Sequence, residues 1–420
     1  MDYIKKISAT DNFYYIKLPR KTSKVYLDIN LRSGYAQEND KEFDIGHLLE
    51  HYLIGVLRRS EGNKYIKIAG SIGQESTIYS LDSSASKIID ETQVFIKSIL
   101  KPEFFNKQLF QLEKEALINE LYIKLNSSYT AMKEIILAQR VNKKCRYVRS
   151  TNDQIKNIRK INLEDLEKYH RKFFVRKNIV ITVSGYQLKP RIIQKIYSFV
   201  KKYKLSTKLV GHSFTKCSYS KFGIKTIKRD IRKELSTVVL SFPAYDNKTK
   251  PAQRIILGIL ARLLSDSPNG LLNQLRQLGI YSLNYKKIVW RNMGMVFFYS
   301  PIANQKLLPF LNLMNEAIKG LKNKEIPKTK LRIFLKQIKQ SEKKAFNNNL
   351  DRLDWINYDL VHYGRVIPIK EDLRIIEKIT TKTLKITAKN ILKKDMVNII
   401  IIGKNIKKIE KNKIRGILDF

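Results

Sequence analysis

Ile161–Gly185 reads INLEDLEKYHRKFFVRKNIVITVSG, and Ile379–Gly403 reads ITTKTLKITAKNILKKDMVNIIIIG. Both stretches hold 25 residues (185 − 161 + 1 and 403 − 379 + 1) and run in the same internal order. A polar helix start leads into an amphipathic helix, a Lys-rich break and an apolar strand closed by glycine. Few letters agree, so the echo is one of pattern. Its offset of 218 residues (379 − 161) implies two similar domains of the α+β class. Other segments follow the offset loosely. Val25–Leu31 and Ser236–Phe242 read as early strands, Phe43–Leu57 and Pro251–Leu264 as buried helices, and Phe105–Leu125 and Pro327–Phe346 as long charged helices. A Ser-, Lys- and Gly-containing stretch without a clear period separates the halves. The expected organisation is a domain over 1–205, a linker over 206–224 and a second domain over 225–420.

The first half carries the chemistry. His47-Leu48-Leu49-Glu50-His51 places two imidazoles four residues apart, on one helix face, with a carboxylate beside the second. This is the H-x-x-E-H arrangement, the reverse of H-E-x-x-H. The chain has only five histidines, and composition alone yields fewer than about 0.006 such matches, so coincidence is a poor explanation. A buried core pair is the ordinary alternative, but Glu50 beside it would then be a buried unpaired charge. A metal ion removes that objection. Catalytic zinc takes three protein ligands and leaves one position for water. His47 and His51 give two, and a carboxylate or histidine from elsewhere must give the third. In Leu112–Glu120, Glu113 and Glu120 stand seven apart and share a helix face. The expectation is Glu120 as ligand, with Glu113 orienting a histidine or the water from behind. His170, His212 and His362 follow no ligand spacing and read as ordinary partly buried or exposed histidines. Where the second half should match the histidine pair, around Ile255–Leu264, it has neither His nor Glu, so that half is expected to be metal-free.

Composition bounds the alternatives. At 420 residues, 43% hydrophobic, with 17 Gly and 10 Pro, the chain is long enough for two well-filled cores and too apolar for disorder. No apolar run approaches the roughly 18–20 residues that span a bilayer, and the N-terminus has no apolar signal region. Cys145 and Cys217 are the only cysteines and lie far apart in sequence, which predicts no disulfide framework and a reducing cytoplasm. The net charge of +43 invites a nucleic-acid reading. Yet the Lys, Ile, Asn and Tyr excess is what an A+T-rich genome encodes, the basic residues are spread along the chain, and no nucleic-acid motif is present. Compositional drift is the simpler account.

By these residues the chain resembles the pitrilysin/insulinase family of inverted-motif zinc peptidases, which includes the mitochondrial processing peptidases. Gly46–His51 resembles the family's metal helix, and Glu113–Glu120 its paired glutamates, of which the second is the ligand. Phe173–Gly185 resembles the strand that closes the first domain, and Gly70–Thr77 loosely resembles the substrate strand. Asn269–Arg276, followed by Gly279-Ile280-Tyr281, resembles a segment whose Arg and Tyr hold substrate, which points to Arg276 and Tyr281. The 69-residue gap from His51 to Glu120 (120 − 51) is shorter than the family's usual gap, and Arg276 and Tyr281 stand closer together than usual. The resemblance implies two mostly antiparallel sheets, each with helices packed on one face, together forming half of a peptidase chamber. It also implies a homodimer, or a heterodimer with a related subunit. The expected activity is zinc-dependent endopeptidase cleavage of short or unfolded peptides, with Glu50 as general base. Alternatives are a maturation peptidase that clips a peptide precursor beside a partner subunit, or a non-catalytic scaffold or basic nucleic-acid-binding protein.

Overall fold

The computed structural model describes residues 2–40, 42–59, 67–104, 106–142, 145–208, 211, 217–228, 234–265, 271–403 and 410–420. The chain divides into two compact units. The first contains residues 1–131, 149–214 and 342–368, and the second contains 132–148, 215–341 and 369–420.

The first unit is built on a six-stranded sheet. Its strands are β1 (Ile4–Lys6), β2 (Phe13–Lys17), β3 (Lys24–Leu31), β4 (Lys67–Ile72), β5 (Thr77–Ser84) and β6 (Ile179–Gly185), in the order β1-β2-β6-β3-β5-β4. Only β2 and β6 pair in parallel. One sheet face packs against helices α1 (Ile45–Arg59), α2 (Ile88–Leu100) and their neighbours. Leu27, Ile29 and Val183 meet Leu48, Leu53 and Ile96 there in a continuous core. Full burial of each such side chain contributes about 1.5–3 kcal/mol. Helix α3 (Lys107–Asn126) lies against α1, and its start is capped by the Asn106 side chain accepting from the Leu109 N–H at 2.8 Å.

The second unit has strands β7 (Gly223–Lys228), β8 (Leu235–Pro243), β9 (Asn284–Trp290), β10 (Met293–Ala303) and β11 (Asn398–Gly403), in the order β7-β11-β8-β10-β9. Its one parallel pair is β7 with β11. Replacing β2, β6, β3, β5 and β4 by β7, β11, β8, β10 and β9 turns one sheet order into the other. The internal echo is therefore a repeated topology. Helices Leu163–Phe173 and Thr381–Ile391 both begin in a capping box, at Asn162 and Thr380, and both lead through a short 3₁₀ turn into the strand at the heart of their sheet.

The units differ from the contiguous blocks expected over 1–205 and 225–420. Helix Asn349–Tyr363, late in the sequence, covers the second face of the first sheet, where Leu353, Ile356 and Leu360 pack on Tyr14, Ile16 and Val180. Strand β6 is buried along its whole length, so both of its faces need a cover. Arg32, just after β3, donates to the carbonyls of Leu360 and Val361 at 2.9 and 3.1 Å and ties down the end of that helix. The helices of the first unit are thus not confined to one face. The reading over 206–224 falls partly outside the described residues, since only 206–208, 211 and 217–224 are described. Its described end is ordered: Tyr219 bridges Val141, and Cys217 is joined to Cys145 in a disulfide with a Cα–Cα distance of 5.0 Å. The expectation of no disulfide framework is corrected here, because chain return brings together residues 72 positions apart. The cysteine argument for a reducing compartment falls with it. Among the described residues no helix is long and apolar enough to cross a membrane.

Candidate metal centre

The start of α1 is held by a buried acid. Glu38 accepts from the Asp44 and Gly46 N–H groups, each at 2.9 Å, so one carboxylate satisfies two donors of the first turn. Arg149 donates to Glu38 at 2.6 Å and packs over the Phe43 ring at 3.9 Å. From that anchored start, Leu48, Leu49, Tyr52, Leu53 and Leu57 point into the core. His47, Glu50, His51, Ile54 and Arg58 follow the other stripe and line a cavity of about 430 Å³.

Helix α3 brings the acids. Glu113 packs against Gly55, where a Cβ would lie 2.5 Å from Glu113 Oε1, so the glycine permits the close approach of the two helices. Two turns further along α3, Glu120 faces both imidazoles. Its Oε1 is 3.8 Å from His47 Nε2 and its Oε2 is 3.3 Å from His51 Nε2. The remaining ring nitrogens have other partners: His51 Nδ1 is 3.7 Å from Glu113, and His47 Nδ1 is 2.9 Å from the Tyr35 hydroxyl. The two Nε2 atoms therefore turn toward one carboxylate, while the Nδ1 atoms are held from behind. Glu50 joins the cluster, with one ligand atom each of His47, Glu50 and His51 lying within 4.8 Å of one another. On its far side Glu50 meets β4, where a Cβ on Gly70 would fall 1.9 Å from Glu50 Oε1.

Electrostatics separates the two rings. Burial, with Lys124 and His51 nearby, holds His47 down to about 3. Burial also lowers His51, but hydrogen bonds to Glu113 and Glu120 outweigh it and lift that ring to about 9. The bond from His51, aided by Lys124, holds Glu120 well below the usual carboxylate range despite its partial burial. Burial raises Glu50, the direction that suits a carboxylate to accept a proton. Two imidazole nitrogens and one carboxylate facing a common point form a donor set that could hold a metal ion, and N,N,O is a familiar catalytic zinc set. The fit is supported by His51, a partly buried ring lifted because acids crowd both of its nitrogens.

The structure thus brings together five residues singled out in the sequence: His47, Glu50, His51, Glu113 and Glu120. Arg276 and Tyr281 lie in the second unit, the first on helix Leu271–Gln277 and the second 80% exposed after a turn with Gly279 at φ 74°. Asn269 and Gly270 of that segment lie outside the described residues, as does His212. His170 is a core histidine, its Nε2 bonded to the Ile99 carbonyl at 2.9 Å and its ring stacked on Phe174. His362 sits 3.7 Å from Glu75. Helix Pro251–Ser265 of the second unit has no His or Glu. Sequence reasoning missed Tyr35, Glu38, Arg149 and Lys124. Lys124 alone carried a signal, since it stands four residues after Glu120 and pairs with it.

Comparison with known proteins places this geometry in context. Residues 160–337 match the family described as the Peptidase M16 inactive domain. No curated protein matches the chain. Among solved structures, a protease from Helicobacter pylori is 16% identical, with 95% of this chain and 99% of that chain covered at a TM-score of 0.79. A chain of complex III2 from Candida albicans, solved with Inz-5 bound, is 12% identical, with 98% of each chain covered at 0.79. A peptidase M16 inactive domain from Pseudomonas fluorescens is 14% identical, with 94% of this chain and 95% of that chain covered at 0.79. The fold is that of M16-like peptidases.

Proposed function

We propose that this chain is a zinc metallopeptidase of the pitrilysin/insulinase type that cleaves short or unfolded peptides. One observation carries the reading: His47, His51 and Glu120 converge on one point, with Glu50 beside them and against β4. Zinc held by those three residues would supply Lewis acidity toward a peptide carbonyl and toward water. Glu113 orients His51 through Nδ1. Glu50 takes a proton from the attacking water on its carboxylate and returns it to the leaving amine, a role its raised proton affinity favours. The substrate adds as a strand to β4, which among the described residues is the outer strand of its sheet and pairs only with β5. Main-chain hydrogen bonds then give affinity across varied sequences. As the family resemblance implies, two chains pair, either as a homodimer or with a related subunit, to close a chamber around the peptide.

A second reading has an observation in its favour. The matched family is described as an inactive domain, its matched residues 160–337 exclude the H-x-x-E-H segment, and a complex III chain shares the fold. A non-catalytic subunit would have no need of the converged ligands. Peptide cleavage by the wild type and by Glu50→Gln separates the two. The peptidase reading expects cleavage that falls at least about 100-fold in the variant while zinc is retained. Equal turnover by both would remove Glu50 as base, and no turnover by a zinc-loaded wild type would favour the subunit reading.

A further inference from the structure

Tyr35 belongs to no ligand motif, yet its hydroxyl meets the one nitrogen of His47 that does not face Glu120. The contact is 2.9 Å, with the two rings edge to face at 85° and their centroids 5.8 Å apart. The phenol therefore stands behind the imidazole, away from the side on which Glu120 and His51 converge. It is also held rigidly. Tyr35 sits in the 3₁₀ turn Tyr35–Gln37, docked on the β4–β5 turn by its own N–H to the Gly73 carbonyl at 3.1 Å and by Ala36 N–H to the Gln74 carbonyl at 2.7 Å. That docking depends on Gly34, where a Cβ would lie 2.4 Å from the Gly73 carbonyl oxygen. Arg149 completes the clamp: it donates to the Tyr35 carbonyl and lies over the Tyr35 ring at 5.3 Å from its centroid. A buried tyrosine often bonds whatever acceptor is at hand. Here the partner atom is the second nitrogen of an imidazole in the converging cluster, and the backbone carrying the phenol is pinned on both sides.

We infer that Tyr35 is a positioning residue for His47: its hydroxyl oxygen accepts a hydrogen bond from Nδ1–H, fixes the ring's tautomer and rotation, and leaves the Nε2 lone pair directed at the metal position. The inference rests on the metallopeptidase reading and deepens it. The two histidines are supported unequally. His51 is backed by the Glu113 carboxylate, and His47 by a neutral phenol, which orients the ring without adding a second anion. The clamp also joins the turn between β4 and β5, at the end of the proposed substrate strand, to the ring of a metal ligand.

The test uses the full-length chain, stripped with a chelator and titrated with zinc against a chromophoric competitor. Tyr35→Phe removes one oxygen and keeps the ring that Arg149 covers. The expected result is zinc affinity about 10–100-fold weaker than wild type, with the unfolding midpoint of the stripped protein little changed. A second measurement needs no variant: nitrogen NMR of zinc-loaded wild type is expected to find Nε2 of His47 on the metal and a slowly exchanging proton on Nδ1. A variant that binds zinc as tightly as wild type overturns the role of Tyr35 and leaves the metallopeptidase reading standing, as does a rapidly exchanging Nδ1 proton. A wild type that takes up no zinc defeats that reading and this inference together.

Discussion

Gly70→Ala tests the placement of the proposed general base without touching it. An alanine Cβ would fall 1.9 Å from Glu50 Oε1, 2.7 Å from its Cδ and 2.8 Å from its Cγ. Ordinary contact begins near 3.4 Å, so the carboxyl must retreat by 1.5 Å (3.4 − 1.9). The clash involves three side-chain atoms, so swinging one oxygen aside does not relieve it. Stability should hardly suffer. Gly70 is on an outer strand and is not among the positive-φ glycines, and Glu50 is a side chain that can move. The loss of glycine freedom in the unfolded chain offsets strain by about 0.4–1 kcal/mol. Catalysis should suffer, because misplacing a reacting group by about 1 Å costs on the order of 100-fold. The predicted outcome is a kcat/KM for a quenched fluorescent peptide lowered about 100-fold, which is about 2.7 kcal/mol of transition-state stabilisation. The loss should fall on kcat, with zinc content unchanged. Near-normal cleavage by a folded Gly70→Ala protein would refute the assignment of Glu50, and loss of zinc would identify Glu50 as a ligand.

Four further outcomes follow from the structure. With zinc removed, His51 keeps its proton up to about pH 9, so zinc must displace it. Affinity should rise about tenfold per pH unit from neutrality to about 9 and then level off, and a flat profile in isothermal titrations at pH 6–8 would contradict this. Because that folded value lies above the 6.5 of a free imidazole, the protonated ring stabilises the stripped fold fully below pH 6.5. The contribution is lost as pH rises toward 9, and denaturant midpoints across that window measure it. Lys124→Met removes a cation that pairs with Glu120 across a partly exposed contact. Zinc should then bind up to about fivefold more tightly, consistent with the roughly 0.2–1 kcal/mol of such pairs, and weaker binding would show that Lys124 orders the ligand instead. Cys145→Ser opens a loop of 72 residues and should lower unfolding free energy by about 2–4 kcal/mol. Two free thiols titrated in denatured, unreduced protein would disprove the pairing.

Much of the site was legible because helical spacing is local. A spacing of four from His47 to His51, and of seven from Glu113 to Glu120, places each pair on one face whatever the rest of the chain does. The repeat was legible for the same reason, since capping residues, amphipathic helix and apolar strand recur in order at Asn162–Gly185 and Thr380–Gly403. Contacts between distant segments left no such mark. Nothing near Tyr35 announces Arg149, 114 residues away, or the 72-residue separation closed by Cys145 and Cys217. Helix Asn349–Tyr363 carries its apolar stripe openly, but the stripe does not say which sheet it covers. Gly70 is hidden for a related reason: a glycine records the absence of a side chain, and only the fold reveals that Glu50 fills the space.

Elemental analysis of the purified full-length chain, paired with peptide cleavage before and after chelation, tests the central claim most directly. A zinc peptidase of this design holds one zinc per chain, loses cleavage to the chelator and regains it with added zinc, and loses the metal in Glu120→Ala. A chain that binds no zinc under these conditions, or that cleaves peptides equally well after chelation, would contradict that claim.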